Sequence, residues 1–398
     1  MALVRLDLRE PGPPLPQGPS WNAFLSFAFR PFYLLAGVQG AIFVLAWAFG
    51  LGGTQALPGF LWHGHEMVWG YAGAIIVGFL LTAVATWTGQ PPVQGRPLAV
   101  LAALWLGARV LLLAVPGAVW PGALLSVSFF LCAAALFLTP IVNTGNRRNF
   151  IPAGLLLAFG ASNALFHAGV AGVLAVDLRG MLHTGLLLVA VVIFLMGLRV
   201  IPFFTAKRLQ IEQVPSHVPL IVAGIALPFL MAVGIAFGVP AWLPAVLGVA
   251  GASANLISMT RWWHAGVARE PMLWVLFAGF GCTAAGVWLY GLTLALAPQY
   301  LSGAVHLVAV GGIGVLTIGM MTRTALGHTG RAIAAPAGMP LAFGLMVAAT
   351  LLRLLSVYWL ALQEALIIAA GLCFAAALGV FVLRFAPWLI RPRADGRP

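Results

Sequence analysis

The sequence predicts an all-α integral membrane protein that crosses the membrane twelve times, and three observations support this fold class. The 398-residue chain is 62% hydrophobic and 7% charged, with a mean hydropathy of +1.05, far more apolar than a water-soluble protein. Its apolar residues form twelve runs, each long enough to span about 30 Å of hydrocarbon at about 1.5 Å per residue. Its basic residues concentrate in every second connection between these runs.

The predicted spans are numbered 1 to 12 in chain order. They are continuous runs of Leu, Ala, Val and Gly, unlike the alternating strands of about ten residues that form a membrane β-barrel. They lie near residues 29–51, 62–88, 97–115, 119–140, 150–174, 178–202, 216–238, 241–263, 271–296, 301–326, 338–360 and 364–386.

The positive charges predict how the chain is oriented. Lys and Arg favour cytoplasmic connections, so both termini are predicted to be cytoplasmic, and the outer connections carry only Arg179. This placement explains the net charge of +12, and no nucleic-acid partner is expected. The basic residues assigned to the inner side are Arg5, Arg9, Arg30, Arg96, Arg147, Arg148, Lys207, Arg208, Arg261, Arg269, Arg323, Arg331, Arg384, Arg391, Arg393 and Arg397.

The spans are predicted to form one membrane domain, residues 29–388, with lipid as its surrounding partner. A cytoplasmic tail of residues 1–28 precedes it, because this stretch is rich in Pro and Gly and lacks the features of a signal peptide. Residues 389–398 form a second cytoplasmic tail. The three cysteines lie singly within apolar runs, without the spacing of a disulfide, zinc or redox site.

Comparison of the chain with itself predicts three four-helix repeats, at about residues 29–147, 148–268 and 269–388. Histidines of spans 2, 6 and 10 lie 118 and 123 residues apart, and the starts of spans 1, 5 and 9 lie 118 and 121 residues apart. Parallel repeats are related by an axis along the membrane normal, so spans 2, 6 and 10 should surround a common centre. The landmarks are His65, His183 and His306, and Arg30, Arg148 and Arg269.

Five of the eight histidines are predicted to share one level near the outer face. Neutral imidazole is a common ligand of iron, copper and zinc, and a haem in a helical bundle is usually held by histidine. One such histidine alone would more often be a hydrogen-bonded interfacial residue, whereas five at one depth favour a metal site. They are His63, His65, His167, His183 and His306. His217, His264 and His328 are expected in solvent beside inner connections.

The stretch Trp62-His63-Gly64-His65-Glu66-Met67 carries two of these histidines. At about 100° per residue, His63 and His65 point about 200° apart on a helix, which suits two neighbouring centres or a loosened first turn at Gly64. Glu66 is either a partner that orients an imidazole or an ordinary acidic residue near a helix N-terminus.

Arg109 in span 3 and Arg353 in span 11 lie within apolar runs, 244 residues or two repeat lengths apart. A buried guanidinium needs an anion and binds carboxylates with two donors. Haem propionates are one candidate for that anion. The alternatives are pairing with Glu66 or Glu364, or extension of the side chain to the interface.

The inner ends of the spans carry further short motifs. These include Arg199-Val200-Ile201-Pro202-Phe203-Phe204-Thr205 and Gly327-His328-Thr329-Gly330-Arg331. Although they could gate the bundle or bind an anion, Gly and Pro at helix ends favour a structural interpretation.

The chain resembles the NnrS family of bacterial inner-membrane proteins over nearly all its length. The motifs are Phe29-Arg30-Pro31-Phe32, Trp62-His63-Gly64-His65-Glu66-Met67, Gly78-Phe79-Leu80-Leu81-Thr82-Ala83, Trp87-Thr88-Gly89, His306 and Gly327-His328-Thr329-Gly330-Arg331. The resemblance implies twelve helices, haem b and copper, and protection against nitrosative stress. A more distant similarity is to haem-copper oxidases, but no His-His pair follows span 6, and Leu187 stands one turn after His183.

The leading hypothesis is a protein that uses haem and copper on nitric oxide or a nitrosyl product, with an unidentified electron donor. His65 and His306 are proposed as haem ligands and His63, His183 and His167 as copper ligands, with Arg109 and Arg353 on the propionates. Which of His63 and His65 faces the centre is left open. Whether this protein is a nitric-oxide-linked redox enzyme is left open, and the alternative is a metal-free or haem-binding transporter or sensor without catalytic turnover.

Overall fold

The computed structural model describes residues 18–54, 57–114 and 119–396, and this part of the chain contains twelve helices long and apolar enough to cross a membrane. The predicted fold class, an all-α membrane protein, is therefore confirmed. The helices are α1 Phe29–Ala48, α2 Phe60–Thr88, α3 Arg96–Ala114, α4 Val119–Thr144, α5 Phe150–Val170, α6 Leu178–Leu209, α7 Val218–Ala236, α8 Trp242–Trp262, α9 Pro271–Leu296, α10 Pro298–His328, α11 Met339–Tyr358 and α12 Gln363–Leu389.

Three helices extend a few residues past the ends predicted for them, and each runs through a proline. α4, α6 and α12 were predicted to end at residues 140, 202 and 386, but they continue through Pro140, Pro202 and Pro387 to residues 144, 209 and 389. Proline removes only one backbone donor. Ending a helix leaves several backbone groups without partners. Because lipid offers no replacement hydrogen bonds, this costs more free energy than the single bond lost at a proline.

The helices form a closed bundle. Consecutive helices pack on one another, except that α3 packs mainly on α4, and α12 packs on both α11 and α1, which joins the first and last helices. The helices with the largest buried share are α2 and α6 at 83% and α10 at 67%. These are the predicted repeat equivalents, although the threefold repeat, the 29–388 domain limits and the cytoplasmic termini stay predictions.

Two inner helices change to π-helix directly after a histidine. In α2 the π-helical segment is Glu66–Ala72, after His65, and in α10 it is Leu307–Gly314, after His306. π-Helical turns often mark functional sites. In α6, helix Leu178–Leu209 is α-helical throughout, with Asp177 as its N-cap.

The first and last parts of the described chain meet at one end of the bundle. Arg30, only 1% exposed, donates to the carbonyls of Leu389 at 3.0 Å and Arg391 at 2.6 Å. Ser20 N donates to Ile390 O at 2.9 Å. These bonds satisfy carbonyls that the C-terminus of α12 leaves free. Within the predicted N-terminal tail, Trp21–Phe24 is a short helix; residues 1–17 of that tail, and 397–398 of the other, lie outside the described residues.

The Gly-His-Thr-Gly-Arg motif receives the C-terminal segment. The Arg393 side chain donates to His328 O at 3.3 Å, and Ala394 N donates to Thr329 O at 3.0 Å. The hydrogen bonds that Arg393 donates to the Asp395 carboxylate raise the pKa of Arg393. His328, expected in solvent, is instead partly buried, with ring-centroid distances of 5.5 and 5.6 Å to Phe27 and Phe29. The contacts support the structural interpretation of this motif.

The crossing of α9 and α10 gives the first testable prediction. A Cβ atom on Gly279 would lie 2.6 Å from the backbone nitrogen of Leu316, and overpacking against backbone costs about 1–3 kcal/mol. Gly279→Ala should therefore lower the thermal unfolding midpoint in detergent. Gly154→Ala is the matched control, because its Cβ would meet nothing within 4 Å. Equal midpoints for Gly279→Ala and the unmodified protein would contradict the close packing.

Candidate functional site

The five predicted histidines separate into two sites at one end of the bundle. His65 and His167 form a fully enclosed cluster, whereas His63, His183 and His306 line a cavity. His63 and His65 are two residues apart on α2, so they face opposite sides of the helix. The predicted haem ligands were His65 and His306, and the predicted copper ligands were His63, His183 and His167. The structure groups these five residues differently.

The enclosed cluster joins α2 to α5. His65 is 0% exposed and His167 3% exposed, and their Nε2 atoms are 3.1 Å apart. The Phe166 ring stacks on His65 with centroids 5.6 Å apart and an angle of 25° between the planes. Asn163 Nδ2 lies 3.4 Å from His65 Nε2. Helix α5 therefore places an imidazole and an amide beside His65 Nε2 and an aromatic ring against the face of the His65 ring.

A buried ion pair supports the cluster on its other side. Glu66 is 1% exposed and accepts from Arg109 Nε at 3.1 Å and from Gln39 Nε2 at 3.3 Å. A buried carboxylate is tolerated when it is paired and hydrogen-bonded. A Cβ atom on Gly70 would lie 2.9 Å from Glu66 Oε2, so this glycine makes room for the carboxylate.

Glu66 also fixes the protonation of His65. Its Oε1 lies 2.8 Å from His65 Nδ1. The carboxylate paired with Arg109 can only accept, so Nδ1 carries the hydrogen, and Nε2 of the neutral ring holds a lone pair directed at His167. Of the two interpretations of Glu66, this geometry matches the residue that orients an imidazole.

The cavity lies between α1, α2, α6, α10, α11 and α12 and has a volume of about 560 Å³. This falls within the range of about 300–1,000 Å³ that is usual for cofactor and ligand sites. Among its described lining residues there are three histidines and two arginines but no carboxylate. The apolar part of its wall includes Val44, Met67, Leu186, Ile313 and Phe374.

His306 presents a lone pair to this cavity. Its Nδ1 is 2.7 Å from the carbonyl oxygen of Ser302, one turn earlier in α10. Because a carbonyl only accepts, Nδ1 must carry the hydrogen and Nε2 is free to bind a metal. Backbone carbonyls commonly fix metal-binding histidines in this tautomer.

His63 and His183 have different surroundings. His63 stacks on Trp47 with centroids 4.8 Å apart and planes 14° apart, and its buried Nδ1 has no partner among the described residues. His183 Nδ1 lies 2.8 Å from the hydroxyl of Tyr290 on α9. The three cavity histidines are therefore held by three unlike contacts: a carbonyl, an indole face and a phenol.

The two arginines of the cavity have no carboxylate partner among the residues that line it. Arg353 donates to the hydroxyls of Ser356 at 2.8 Å and Ser302 at 3.3 Å. The Arg179 guanidinium lies 5.2 Å from the Phe60 ring centroid. Arg353 thus remains available to an anion in the cavity, whereas Arg109 pairs with Glu66, which was the alternative interpretation of that residue.

Several site residues carried no sequence signal. Tyr290 and Trp47 contact histidines that are far away in the chain, and Asn163 is one polar residue in an apolar helix. Gln39 in the first span was the most recognisable, because an amide in the middle of a membrane helix needs a partner. Arg179 was assigned to an outer connection, but its side chain lines the cavity.

No group of three or more His, Cys, Asp or Glu side chains that could hold a metal ion occurs within residues 18–54, 57–114 and 119–396. The five histidines therefore do not meet at one point. Each site offers a smaller set of imidazoles, which a cofactor with ligands of its own could complete.

A family model described as NnrS protein matches residues 23–393 of the chain. The chain belongs to the NnrS family. The curated proteins contain no match to it. Membership in this metal-binding family fits a multi-pass membrane protein of the nitric oxide response.

The buried ion pair of this NnrS-family protein gives the second prediction. Removing one partner of a buried pair typically costs about 3–5 kcal/mol, because the other charge is left unpaired. Glu66→Gln should therefore reduce the unfolding midpoint strongly, and Arg109→Gln in addition should restore part of it.

The half-exposed pair Arg208–Glu270, with atoms 2.9 Å apart, is the matched control. Its loss through Glu270→Gln should cost about 0–1 kcal/mol. Additive effects of the two substitutions at Glu66 and Arg109 would contradict direct coupling of these charges.

Proposed function

We propose that this NnrS-family protein is a haem- and copper-binding protein of the bacterial inner membrane that handles nitric oxide or nitrosyl species and so protects against nitrosative stress. The observation that carries the proposal is the cavity: an apolar chamber of about 560 Å³ with three histidines, two arginines and no carboxylate among its described lining residues. Nitric oxide is small and neutral, so it can enter from the bilayer without a polar channel.

The cavity residues fit haem b. Its apolar wall suits the porphyrin, its arginines suit the two propionates, and His306 holds a lone pair for iron. His63 lies on the neighbouring inner helix and also lines the cavity. We therefore propose that His306, in place of His65, would hold the haem iron, and that His63 lines the same chamber without binding the iron, which leaves a position for a diatomic gas. When bound, the haem would supply an iron that binds diatomic gases.

The enclosed pair fits a copper ion. The Nε2 atoms of His65 and His167 are 3.1 Å apart, close to the edge of about 3.3 Å between ligands at about 2.0–2.1 Å in a tetrahedral site. Imidazole is a suitable copper ligand. Glu66 and Arg109 would hold His65 in place without adding net charge, because they neutralise one another.

The remaining partners follow from the predicted topology. With both termini cytoplasmic, the two histidine sites lie toward the outer face, where an electron donor of unidentified kind would act. The lipid bilayer is the surrounding partner. The basic inner connections are explained by orientation and give no reason to propose a nucleic-acid partner.

The third prediction separates the two metal sites. His306→Ala should lose haem while retaining copper, and Arg353→Ala should weaken haem retention, because each removes a contact to haem only. His167→Ala should lose copper and spare haem. The measurements are haem content by optical spectroscopy and copper content by elemental analysis of purified protein.

His264→Ala is the matched control, since its Nδ1 accepts from Gly266 N in an inner connection at 3.0 Å. Absence of haem iron after haem-replete expression would contradict the proposed function. Intact metals whose spectrum does not respond to nitric oxide would instead favour a transporter or sensor without turnover.

A further inference from the structure

We infer that His183 is not a metal ligand but a hydrogen-bond donor to the small ligand held in the cavity, and that Tyr290 sets the ring tautomer that makes it a donor. The inference rests on the proposed function in so far as the cavity holds a ligand. The ligand class it implies is a small molecule with an accepting, negatively polarised oxygen or nitrogen, such as nitric oxide bound at a metal.

The contact between the two side chains is direct. Tyr290 Oη lies 2.8 Å from His183 Nδ1, and the rings meet edge to face at 87° with centroids 5.5 Å apart. Tyr290 is 1% exposed, on α9. His183 lines the cavity, so it stands between the cavity and the phenol.

The proton of the phenol decides the direction of this hydrogen bond. A buried hydroxyl needs an acceptor for its hydrogen. In the part of the chain that the structure describes, His183 Nδ1 is the hydrogen-bond partner of the Tyr290 hydroxyl. The opposite direction, with Nδ1 donating, would leave the phenol proton buried without an acceptor. Tyr290 therefore donates, and His183 Nδ1 accepts.

This direction determines the other ring nitrogen. A neutral imidazole carries one hydrogen, so when Nδ1 accepts, the hydrogen is on Nε2. Nδ1 and Nε2 flank one ring carbon and direct their hydrogen bonds outward in different directions, so the hydrogen on Nε2 points away from Tyr290, and His183 lines the cavity. An Nε2–H group has no lone pair for a metal, but it can donate to a ligand.

His306 is in the opposite state. Its Nδ1 faces a carbonyl, which can only accept, so its Nε2 holds a lone pair. One cavity thus combines His306, whose Nε2 lone pair can bind a metal ion, with His183, whose Nε2–H can donate a hydrogen bond to a ligand of that metal.

The first experiment tests the tautomer without any metal. Protein labelled with ¹⁵N in the histidine rings and prepared free of metals is reconstituted in lipid and studied by solid-state NMR, with His183→Gln assigning the signals. The unmodified protein should show a protonated Nε2 and an accepting Nδ1 for His183. Tyr290→Phe should remove the hydrogen-bond shift of Nδ1. Tyr358→Phe, at an exposed tyrosine, should leave it unchanged. A protonated Nδ1 on His183 in the unmodified protein would overturn the inference.

The second experiment tests the role. His183→Leu should retain haem and copper at the unmodified level but release nitric oxide about 2- to 10-fold faster, as expected for one lost hydrogen bond. His183→Gln keeps a donor and should recover part of the difference. Loss of either metal in folded His183→Leu protein would identify His183 as a ligand and sink the inference. Protein that never contains haem would instead overturn the proposed function, and the NMR result would still decide the tautomer.

Discussion

The buried pair of Glu66 and Arg109 is the interaction on which the rest of the site depends. A charge in a membrane interior needs an opposite charge beside it. Each of these two ions also positions another part of the site: Glu66 contacts His65 Nδ1, and Arg109 links α3 to α2. Once His65 is held on this side of α2, His63 must face the other. The pair therefore determines which histidine is enclosed and which reaches the cavity.

The two sites differ in how water and ligands can reach them. The His65–His167 cluster is enclosed by Phe166 and by α3 and α5, so whatever it binds is shielded. The cavity is bounded by inner helices and by α1 and α12, and its polar groups project from an apolar wall. A chain with few charges thus places five histidines, three arginines and Glu66 around two adjacent centres.

Much of the fold was predictable because the membrane permits few solutions. Apolar length predicted twelve helices, and histidine spacing singled out the three most buried ones, α2, α6 and α10. The errors have physical causes. Helices α4, α6 and α12 run through Pro140, Pro202 and Pro387 and past their predicted ends, because lipid offers no replacement hydrogen bonds for an interrupted helix. The rotation of α2 about its axis was not predictable, because its apolar residues surround it and leave no stripe to orient it.

The partners of the histidines depend on tertiary contacts that no local pattern encodes. Tyr290 meets His183, and Trp47 meets His63, only after separate helices pack. Glu66 is the exception, since it is adjacent to His65 in the sequence, and one of its two predicted roles matches the structure. Arg353 lines the same cavity as three of the histidines, whereas the pairing of Arg109 depended on which side of α2 faced it.

The π-helical segments carry a consequence for how the imidazoles are aimed. A π-turn holds about one residue more than an α-turn, so the side chains on either side of it are offset by roughly 100°. The π-helical segment Leu307–Gly314 therefore gives the His306 side chain a different direction, relative to the helix after it, from the one that an uninterrupted α-helix would give. Deletion of one residue there would keep the segment apolar yet turn the imidazole away from the chamber. The length of this stretch, more than its hydrophobicity, specifies where the ligand points.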